Sequence, residues 1–231
     1  MQEESPAAGF QLPEAVPPQA LAVFGDALPV AERFVHLLAT AGVERGLIGP
    51  REAGRLWERH LINCAVLSEA VPEGVSVVDI GSGAGLPGLV LAIVRPDLEI
   101  TLLEPLLRRT RFLVEAVEDL GLKNVEVVRG RAEEVAKHFE VDVVTARAVA
   151  PLDRLATWGI PLLRVGGELL ALKGERAALE LAEAAPVLSK LGVRTAELLL
   201  VGRGKVDPPT TLVRLVAERA PERTGKKKRK G

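Results

Sequence analysis

Short apolar segments rich in β-branched residues alternate with longer amphipathic segments from about residue 74 onward. The short segments predict seven strands, at residues 75–80, 99–104, 125–128, 141–146, 167–172, 196–201 and 211–217. Helical patterns separate most of them, which is typical of βαβ units on a parallel sheet. Only the loop 202–209 joins the last two strands, and this short connection predicts an antiparallel hairpin at the end of the sheet.

The clearest helical pattern covers residues 106–120. Its apolar side chains recur at helical spacing and form one stripe, made by Phe112, Leu113, Ala116, Val117 and Leu120. Gly121 follows at the position where a left-handed C-cap is expected. We therefore predict that this helix packs one face on the sheet and ends at Gly121.

Four regions follow from these patterns. Residues 1–17 are predicted to be a disordered leader, and residues 18–73 a helical arm, because apolar residues recur there at helical spacing. Residues 74–218 form the predicted α/β domain, with a Rossmann-like, seven-stranded, mostly parallel sheet and an antiparallel C-terminal hairpin. Residues 219–231 form a basic tail, predicted to be disordered.

Composition and charge narrow the class of protein. Hydrophobic residues make up 48% of the 231-residue chain, enough for a substantial core. A single cysteine, the absence of a signal-like N-terminus and the lack of a long apolar run predict a cytoplasmic protein that does not enter the membrane. The net charge of −1 hides an asymmetry, because the tail carries seven Lys/Arg and one Glu. The tail is a candidate contact for polyanions.

The most informative segment is 77–89, Val-Val-Asp-Ile-Gly-Ser-Gly-Ala-Gly-Leu-Pro-Gly-Leu. It runs from an apolar strand through a glycine-rich turn into a helix, which predicts a cofactor-binding turn. Glycines there allow positive φ and let a ligand approach the backbone. The candidate cofactor residues on this segment are Asp79, Gly81, Gly83 and Gly85.

The identity of the cofactor turns on Asp79. Gly83, Gly85 and Gly88 also satisfy the dinucleotide pattern G-x-G-x-x-G. Dinucleotide sites normally have an apolar residue at the strand end, whereas a carboxylate there can hold a ligand ammonium or an ordered water. The pattern therefore favours S-adenosyl-L-methionine and a class I methyltransferase fold.

Two later strand ends complete the predicted cofactor site. Glu104 is placed to accept hydrogen bonds from both ribose hydroxyls, or it lies beside a helix N-terminus in a structural role. Ala132 and Glu133 follow the third strand, where the backbone of Ala132 and the side chain of Glu133 could read the adenine edge. A first-turn carboxylate favoured by the helix dipole explains Glu133 equally well.

The atom that is methylated is inferred partly from motifs that the sequence lacks. After the fourth strand the chain reads Thr145-Ala146-Arg147-Ala148-Val149-Ala150-Pro151, without the Asn/Asp-Pro-Pro-aromatic motif of amino-group methyltransferases. Cytosine carbon methylation needs a thiolate, but Cys64 lies on an apolar face of the arm and is predicted to be buried. A ring nitrogen such as guanine N7 is already nucleophilic, so its methylation needs neither that motif nor a thiolate.

Basic residues supply the remaining candidates. Arg147 and Lys173 end the fourth and fifth strands, where open α/β sheets bind their ligands, and are the predicted catalytic residues. Arg147 could pair with the cofactor carboxylate or with a substrate phosphate. The predicted RNA-binding residues are Arg59, His60, Arg108, Arg109, Arg111 and Lys173. A packed helix histidine and an ordinary strand-terminal lysine are the structural alternatives for His60 and Lys173.

With these residues the chain resembles the bacterial 16S ribosomal RNA (guanine-N7) methyltransferase G family, also called glucose-inhibited division protein B. The resemblance spans residues 31–217 and rests on five stretches. They are Arg-His-Leu at 59–61, Asp-Ile-Gly-Ser-Gly-Ala-Gly-Leu-Pro-Gly at 79–88, Arg-Phe-Leu at 111–113, Arg-Ala at 147–148 and Ala-Leu-Lys-Gly at 171–174.

The resemblance implies methylation of guanine N7 in the 530 loop (position 527 type) of 16S rRNA. It implies cofactor contacts at Gly81, Leu86, Glu104, Ala132, Glu133 and Arg147. Where many members have Asp-Ser after Arg-His-Ile-Leu, this chain has Asn63-Cys64, and with the long basic tail this form looks actinobacterial.

Three other functions stay open on the sequence. The overlapping glycine pattern fits an NAD-type oxidoreductase, although no substrate domain follows residue 146. A methyltransferase acting on another RNA is the second, and a non-catalytic RNA-binding protein with an inert core is the third. We expect a monomer whose partner is 16S rRNA or the small ribosomal subunit.

Overall fold

A computed structural model describes residues 15–218. Most of the predicted leader and all of the predicted basic tail lie outside the described residues. A single seven-stranded sheet runs through the described part. Its strands are β1 (Ser76–Ile80), β2 (Glu99–Glu104), β3 (Val125–Arg129), β4 (Val141–Arg147), β5 (Leu163–Lys173), β6 (Val193–Val201) and β7 (Thr210–Ala217).

The strand order is β3-β2-β1-β4-β5-β7-β6. The first five strands in this order are parallel to one another, and β7 lies antiparallel between β5 and β6. The predicted Rossmann-like sheet with an antiparallel C-terminal hairpin is therefore confirmed. Because β1, β2 and β4 are parallel, Ile80, Glu104 and Arg147 end at the same edge of the sheet.

Two strands begin earlier than predicted. Strand β5 begins at Leu163 rather than at 167, and β6 begins at Val193 rather than at 196. The predicted start, Gly167, and the preceding Gly166 lie inside the strand. Here the register against β4 shifts from Val141↔Leu163 to Val143↔Glu168. A Cβ at Gly167 would lie 2.9 Å from the Asp142 carbonyl oxygen, so the irregularity needs a glycine there.

The helical arm precedes the sheet. It consists of α1 (Pro18–Phe24), α2 (Leu28–Leu37) and α3 (Asn63–Ala65), with shorter turns at Gly25–Ala27, Pro50–Arg55 and Val66–Ala70. Two π-helical segments, Leu38–Gly42 and Trp57–Ile62, interrupt the α-helical pattern.

The domain helices are α4 (Gly88–Val94), α5 (Leu107–Leu120), α6 (Ala132–Val135), α7 (Leu152–Gly159) and α8 (Ala177–Lys190), with 3₁₀ turns at Ala136–His138 and Ile160–Leu162. Helix α5 ends as predicted, because Gly121 is left-handed with φ 70° and ψ 26°. Its backbone N–H donates to carbonyls of the last turn and so caps the helix.

Two apolar cores lie on the two faces of the sheet. On one face Phe34 and Trp57 of the arm share a core with Leu89 of α4 and Ile100 of β2. On the other face the side chains of α7 and α8 pack on the sheet. The arm is thus packed into the same core as α4 and α5, and it lies against the edge where the strands end.

No helix within residues 15–218 is both long and apolar enough to cross a membrane.

Candidate active site

The glycine turn after β1 is held in a conformation that only glycine adopts easily. Gly81, Gly83 and Gly85 have φ of +65°, +56° and +89°. A Cβ at Gly85 would lie 2.4 Å from a side-chain carbon of Leu89, so this glycine is required by packing. A Cβ at Gly83 would meet nothing closer than 3.6 Å. Gly83 therefore leaves open space above the turn.

The Asp79 carboxylate supports the glycine turn through hydrogen bonds. It is fully buried, and its two oxygens accept hydrogen bonds from the Gly88 N–H at 3.1 Å and the Thr145 hydroxyl at 3.2 Å. Burial raises the pKa of Asp79 to about 7. Both of these hydrogen bonds come from the protein, and the predicted contact with a ligand ammonium or water stays a prediction. The carboxylate ties the start of α4 and strand β4 to the end of β1.

Glu104 has a similar arrangement at the end of β2. Its side chain is 1% exposed. One carboxylate oxygen accepts from the Gly83 N–H at 3.0 Å, and the other accepts from the Leu106 N–H at 2.9 Å. These contacts match the structural role beside a helix N-terminus that the sequence left open for Glu104. They also hold the glycine turn in its conformation. Each oxygen keeps a second lone pair, so the ribose contact stays a prediction.

A cavity of about 690 Å³, which we name the turn cavity, opens beside the glycine turn. It is lined by residues that follow β1, β2 and β3 and by one face of α7, including Gly81, Leu106, Gly130, Ala132, Glu133, Arg154 and Trp158. Three of the residues predicted to bind cofactor, Gly81, Ala132 and Glu133, lie on its wall. Its size is within the range of about 300–1,000 Å³ typical of small-molecule sites.

A second cavity of about 1180 Å³, which we name the arm cavity, lies between the arm, the ends of β4 and β5, and the loop before β7. Its lining includes Arg59, Asn63, Arg147, Lys173 and Thr210. Predicted RNA-binding and catalytic residues thus face one space.

The two cavities meet at the loop after β4. Val149 lines both of them. Its side chain lies against Gly81, because a Cβ added at Gly81 would be 3.0 Å from a Val149 methyl carbon. The preceding Ala148 has φ 54°, the one positive φ of a non-glycine residue among residues 15–218. Such backbone strain is commonly found at functional sites.

Arg147 turns toward the arm. Its guanidinium donates to the Arg59 carbonyl at 3.0 Å, the His60 carbonyl at 3.5 Å, the His60 Nδ1 at 2.7 Å and the Cys64 Sγ at 3.1 Å. All four acceptors are uncharged. Across the described part of the chain, no carboxylate lies within ion-pair distance of Arg147, so its positive charge is not neutralised by direct contact.

Lys173 makes a different set of contacts. Its ammonium is 2.7 Å from a carboxylate oxygen of Glu180 on α8 and donates to the Ala150 carbonyl at 2.9 Å. The same Glu180 oxygen accepts from the Leu152 N–H at 3.1 Å. The side chain of Lys173 is only 9% exposed. These contacts anchor the loop between β4 and α7, and they use two of the three N–H donors of the ammonium.

The other predicted residues lie around these two cavities. Arg109 is next to the glycine turn, 3.8 Å from a Glu104 oxygen, whereas Arg108 and Arg111 are exposed on the first turns of α5. Leu86 packs beside the arm-side core rather than on the wall of the turn cavity. His60 contacts Arg147 and is not on the wall of either cavity. Their predicted roles stay predictions.

The sequence analysis missed several residues that the structure places at the site. Cys64 was predicted to be packing only; it is fully buried, but its sulfur also accepts a hydrogen bond from Arg147. Glu52, Val149 and Glu180 were not considered. The run Arg147-Ala148-Val149-Ala150-Pro151 is the one signal for Val149, because a strand ending before a proline predicts a loop at the ligand-binding edge.

Comparison with solved structures identifies the fold. The fold is similar to an S-adenosylmethionine-dependent methyltransferase from Aquifex aeolicus, with a TM-score of 0.52 and 19% identity over 77% of this chain and 97% of that one. A second similar structure is a methyltransferase of the same cofactor class from Methanococcus maripaludis, with a TM-score of 0.55 and 14% identity over 82% and 92% of the chains. The fold is that of class I S-adenosylmethionine-dependent methyltransferases.

The family is shown by sequence comparison. The family model of rRNA small subunit methyltransferase G matches residues 28–206. A curated protein of that name from Streptomyces avermitilis is 66% identical over 212 residues, 91% of this chain and 89% of its own length. Another from Thermobifida fusca is 58% identical over 221 residues, 90% and 93% of the two chains. The chain belongs to the rRNA small subunit methyltransferase G family, which confirms the resemblance, and these relatives are actinobacterial as predicted.

Proposed function

We propose that this chain methylates small-subunit ribosomal RNA with S-adenosyl-L-methionine as donor, at guanine N7 in the 530 loop of 16S rRNA. The observation that carries the proposal is the pair of cavities that meet at Val149, at the edge where β1 and β4 end. Methyl transfer needs a donor site and an acceptor site in contact, and the turn and arm cavities supply such a pair.

The turn cavity suits the donor. Gly83 leaves room for a ligand against the backbone, and its N–H donates to the Glu104 carboxylate. Ala132 and Glu133 stand where an adenine edge can be read. When bound, S-adenosyl-L-methionine supplies an electrophilic methyl group on a sulfonium. Asp79 and Glu104 keep the turn in place, and Arg147 offers a charge for an anionic group of donor or target.

The arm cavity suits an RNA nucleotide. Arg59, Arg147 and Arg176 stand on its wall, although acidic groups such as Glu183 are also present. Among these, Arg147 is held by uncharged acceptors and keeps its full positive charge for a phosphate or carboxylate. Both Nη atoms of Arg147 donate to the arm, so within the described residues its Nε–H and its charge are what it offers to such a group.

A ring nitrogen is the target that the chemistry of the site favours. Burial raises the pKa of the Cys64 thiol, so it is not an available thiolate nucleophile for methylation of a pyrimidine carbon. Guanine N7 carries a lone pair at neutral pH and needs no general base. The protein then has only to align N7 with the methyl group and exclude water from the junction at Val149.

We further propose that the protein acts in the cytoplasm as a monomer, with 16S rRNA or the small ribosomal subunit as its partner. The names of the curated relatives support the rRNA partner. An NAD-type oxidoreductase is not supported, because the family and the fold are those of methyltransferases.

The test is methyl transfer from labelled cofactor to small subunits purified from cells that lack the modification. The predicted result is incorporation into 16S rRNA, absent when subunits that already carry the modification are used. Free 16S rRNA serves as a parallel substrate and shows whether the assembled particle is required. No incorporation into either substrate would contradict the proposal.

A further inference from the structure

A chain of hydrogen bonds links the arm to Arg147. The His60 ring contacts Arg147 through Nδ1, at 2.7 Å, and Glu52 through Nε2, at 3.1 Å. Glu52 also accepts from the Arg59 guanidinium at 2.9 Å. The His60 side chain is 14% exposed and that of Glu52 is 32% exposed, so the imidazole itself is mostly shielded from water.

The chemistry of the partners assigns the tautomer of His60. A guanidinium can only donate, so Nδ1 must be the unprotonated acceptor for Arg147. The ring then carries its proton on Nε2, which donates to the Glu52 carboxylate. The arrangement therefore requires neutral His60. A second proton on Nδ1 would face the Arg147 N–H groups, with no acceptor between the two cations.

The backbone of the arm adds to this orientation. Arg59 and His60 lie in the π-helical segment Trp57–Ile62, and their carbonyls accept from Arg147. Segments of this kind are often found at functional sites. Arg147 is thus fixed by one short stretch of the arm, although it belongs to the sheet.

We propose that His60, oriented by Glu52, is a positioning residue that holds Arg147 in place for the methyl donor, which Arg147 meets at the junction of the two cavities, two residues before Val149. Protonation of His60 then releases Arg147 and weakens donor binding. This inference rests on the proposed function, because it concerns the same site. The arm is then part of the cofactor site as well as a wall of the arm cavity.

The surroundings of His60 favour the neutral form of its ring. Burial and the charge of Arg147 lower the pKa of His60, and Arg59 acts in the same direction, whereas Glu52 raises it. These charges come from the arm on one side and from β4 on the other, and the nearby Cys64 is a neutral thiol. His60 is therefore harder to protonate than an ordinary histidine, and its protonation requires more acidic solution.

The experiment measures the affinity for S-adenosylhomocysteine by calorimetry between pH 5.5 and 8.5. The background is the variant His36→Asn with His138→Asn, which removes the two other histidines of the chain, both exposed. His60 is then the single imidazole, and its protonation is followed by NMR in the same samples. The affinity is expected to fall at least tenfold as His60 becomes protonated.

Three variants separate positioning from packing. His60→Asn keeps an oxygen near the place of Nδ1, so affinity at pH 8 should stay within about threefold while the acid loss disappears. His60→Phe fills the space without an acceptor, and affinity should fall at least tenfold at every pH. Glu52→Gln removes the charge that raises the His60 pKa, so the acid loss should move to lower pH. Thermal melting confirms that each variant is folded.

The outcomes are distinguishable. An acid loss that is unchanged in His60→Asn and Glu52→Gln would overturn this proposal and would assign the pH dependence to another group, such as Asp79. Normal affinity in folded His60→Phe would overturn it too. If the unsubstituted protein binds no S-adenosylhomocysteine at any pH, the proposed function itself fails. Proton signals that place the His60 proton on Nδ1 at pH 8 would contradict the geometry without reference to the cofactor.

Discussion

At the scale of single residues, the buried carboxylate of Asp79 shapes the site without lining either cavity. It joins three elements, β1, β4 and α4, through two hydrogen bonds. Burial makes its charged form costly, and this cost is the reason that its pKa is raised to about 7. Asp79 therefore couples the stability of the glycine turn to pH.

We predict that Asp79→Asn makes the free protein more stable at pH 8 and flattens its stability between pH 4 and 7. A carboxyl whose pKa is raised in the folded state stabilises the fold at low pH, and that contribution is lost as pH rises through about 7. Asparagine keeps an acceptor for the Gly88 N–H and carries no charge. The expected gain at pH 8 is of order 2 kcal/mol, measured by urea unfolding at several pH values.

Asp142→Asn is the matched control with the opposite sign. The pKa of Asp142 is lowered, by hydrogen bonds from Ser76 and by Arg164, against an opposing effect of burial. That substitution should destabilise the protein above pH 4. If Asp79→Asn lowers stability at pH 8 as Asp142→Asn does, the Asp79 charge is favourable in the fold and our account of it is wrong.

Arg147→Lys is expected to lower the single-turnover rate by roughly a hundredfold, near 2.7 kcal/mol, although it keeps the charge. An ammonium cannot reach the Arg59 carbonyl, His60 and Cys64 together as the planar guanidinium does. The measurement is methylation of small subunits under single-turnover conditions, with a cofactor titration. Arg194→Lys, in an exposed ion pair on β6, is the control.

A near wild-type rate for Arg147→Lys would remove Arg147 from the site. A loss confined to cofactor affinity would make it a binding residue that does not act in the transfer step.

The sequence places residues at strand ends but does not say which way they turn. Asp79, Glu104 and Arg147 were predicted at the ligand-binding edge, and they lie there. Their partners are backbone amides and side chains that the strand pattern does not reveal, such as His60, which lies 87 residues before Arg147. A strand pattern with a period of two carries no information on those contacts.

At the scale of elements, the loop between β4 and α7 connects the two cavities. Lys173 on β5 donates to the Ala150 carbonyl, and Glu180 on α8 accepts from the Leu152 N–H. Since Lys173 and Glu180 also pair with each other, one ion pair fixes both sides of Pro151. Val149 owes its position over Gly81 to this anchored loop.

We predict that Glu180→Gln and Lys173→Met each lower the single-turnover rate about tenfold, and that the double variant is no slower than the slower single one. Residues that act as one unit are non-additive in this way. The measurement is a double-mutant cycle on methylation of small subunits, with the Michaelis constant for the RNA substrate recorded.

If Lys173 instead contacts a phosphate, Lys173→Met should raise that Michaelis constant while Glu180→Gln leaves it unchanged. This result would restore the predicted RNA-binding role of Lys173 and remove Glu180 from the site.

Elements with clear periodicity were predictable, and those shaped by local irregularity were not. Helix α5 and its Gly121 cap follow from an apolar stripe and a glycine. The early start of β5 was hidden, because Gly166 and Gly167 are typical of turns and lie here within a strand. The π-helical segment Trp57–Ile62 has no sequence signal of its own, so the orientation of Arg59 and His60 was beyond prediction.

At the scale of the whole molecule, charge is unevenly distributed. The turn and arm cavities have basic and acidic side chains together, whereas seven of the eight charged residues after Glu218 are Lys or Arg. Basic residues near phosphates release counterions on binding, which strengthens association at low salt. The tail, outside the described residues, is therefore a candidate for sequence-independent RNA affinity.

Removal of residues 219–231 is expected to weaken RNA binding and to flatten its dependence on salt, while the rate at saturating RNA is kept. Each phosphate contact that is lost should reduce the slope of log affinity against log salt by about one. Filter binding of 16S rRNA at several salt concentrations measures this slope. A slope identical to that of the full chain would show that the tail does not contact RNA.

The architecture as a whole was accessible from the sequence, because the strand pattern and the two-strand ending allow few topologies. The arm was predicted as a helical region, but its packing into the core of the sheet was not, since periodicity does not say which surfaces meet. The second cavity arises from that packing. Its wall combines Arg59 and Asn63 of the arm with Arg147 of the sheet.

The most direct test of the account is the identity of the methylated atom in 16S rRNA. Small subunits that lack the modification are treated with the protein and S-adenosyl-L-methionine, and the RNA is digested and analysed by mass spectrometry against N7-methylguanosine. The account predicts one N7-methylguanosine per 16S rRNA, within the 530 loop, and its loss in Arg147→Lys at short times. A methyl group on an exocyclic amine, on a pyrimidine carbon or on ribose would contradict it.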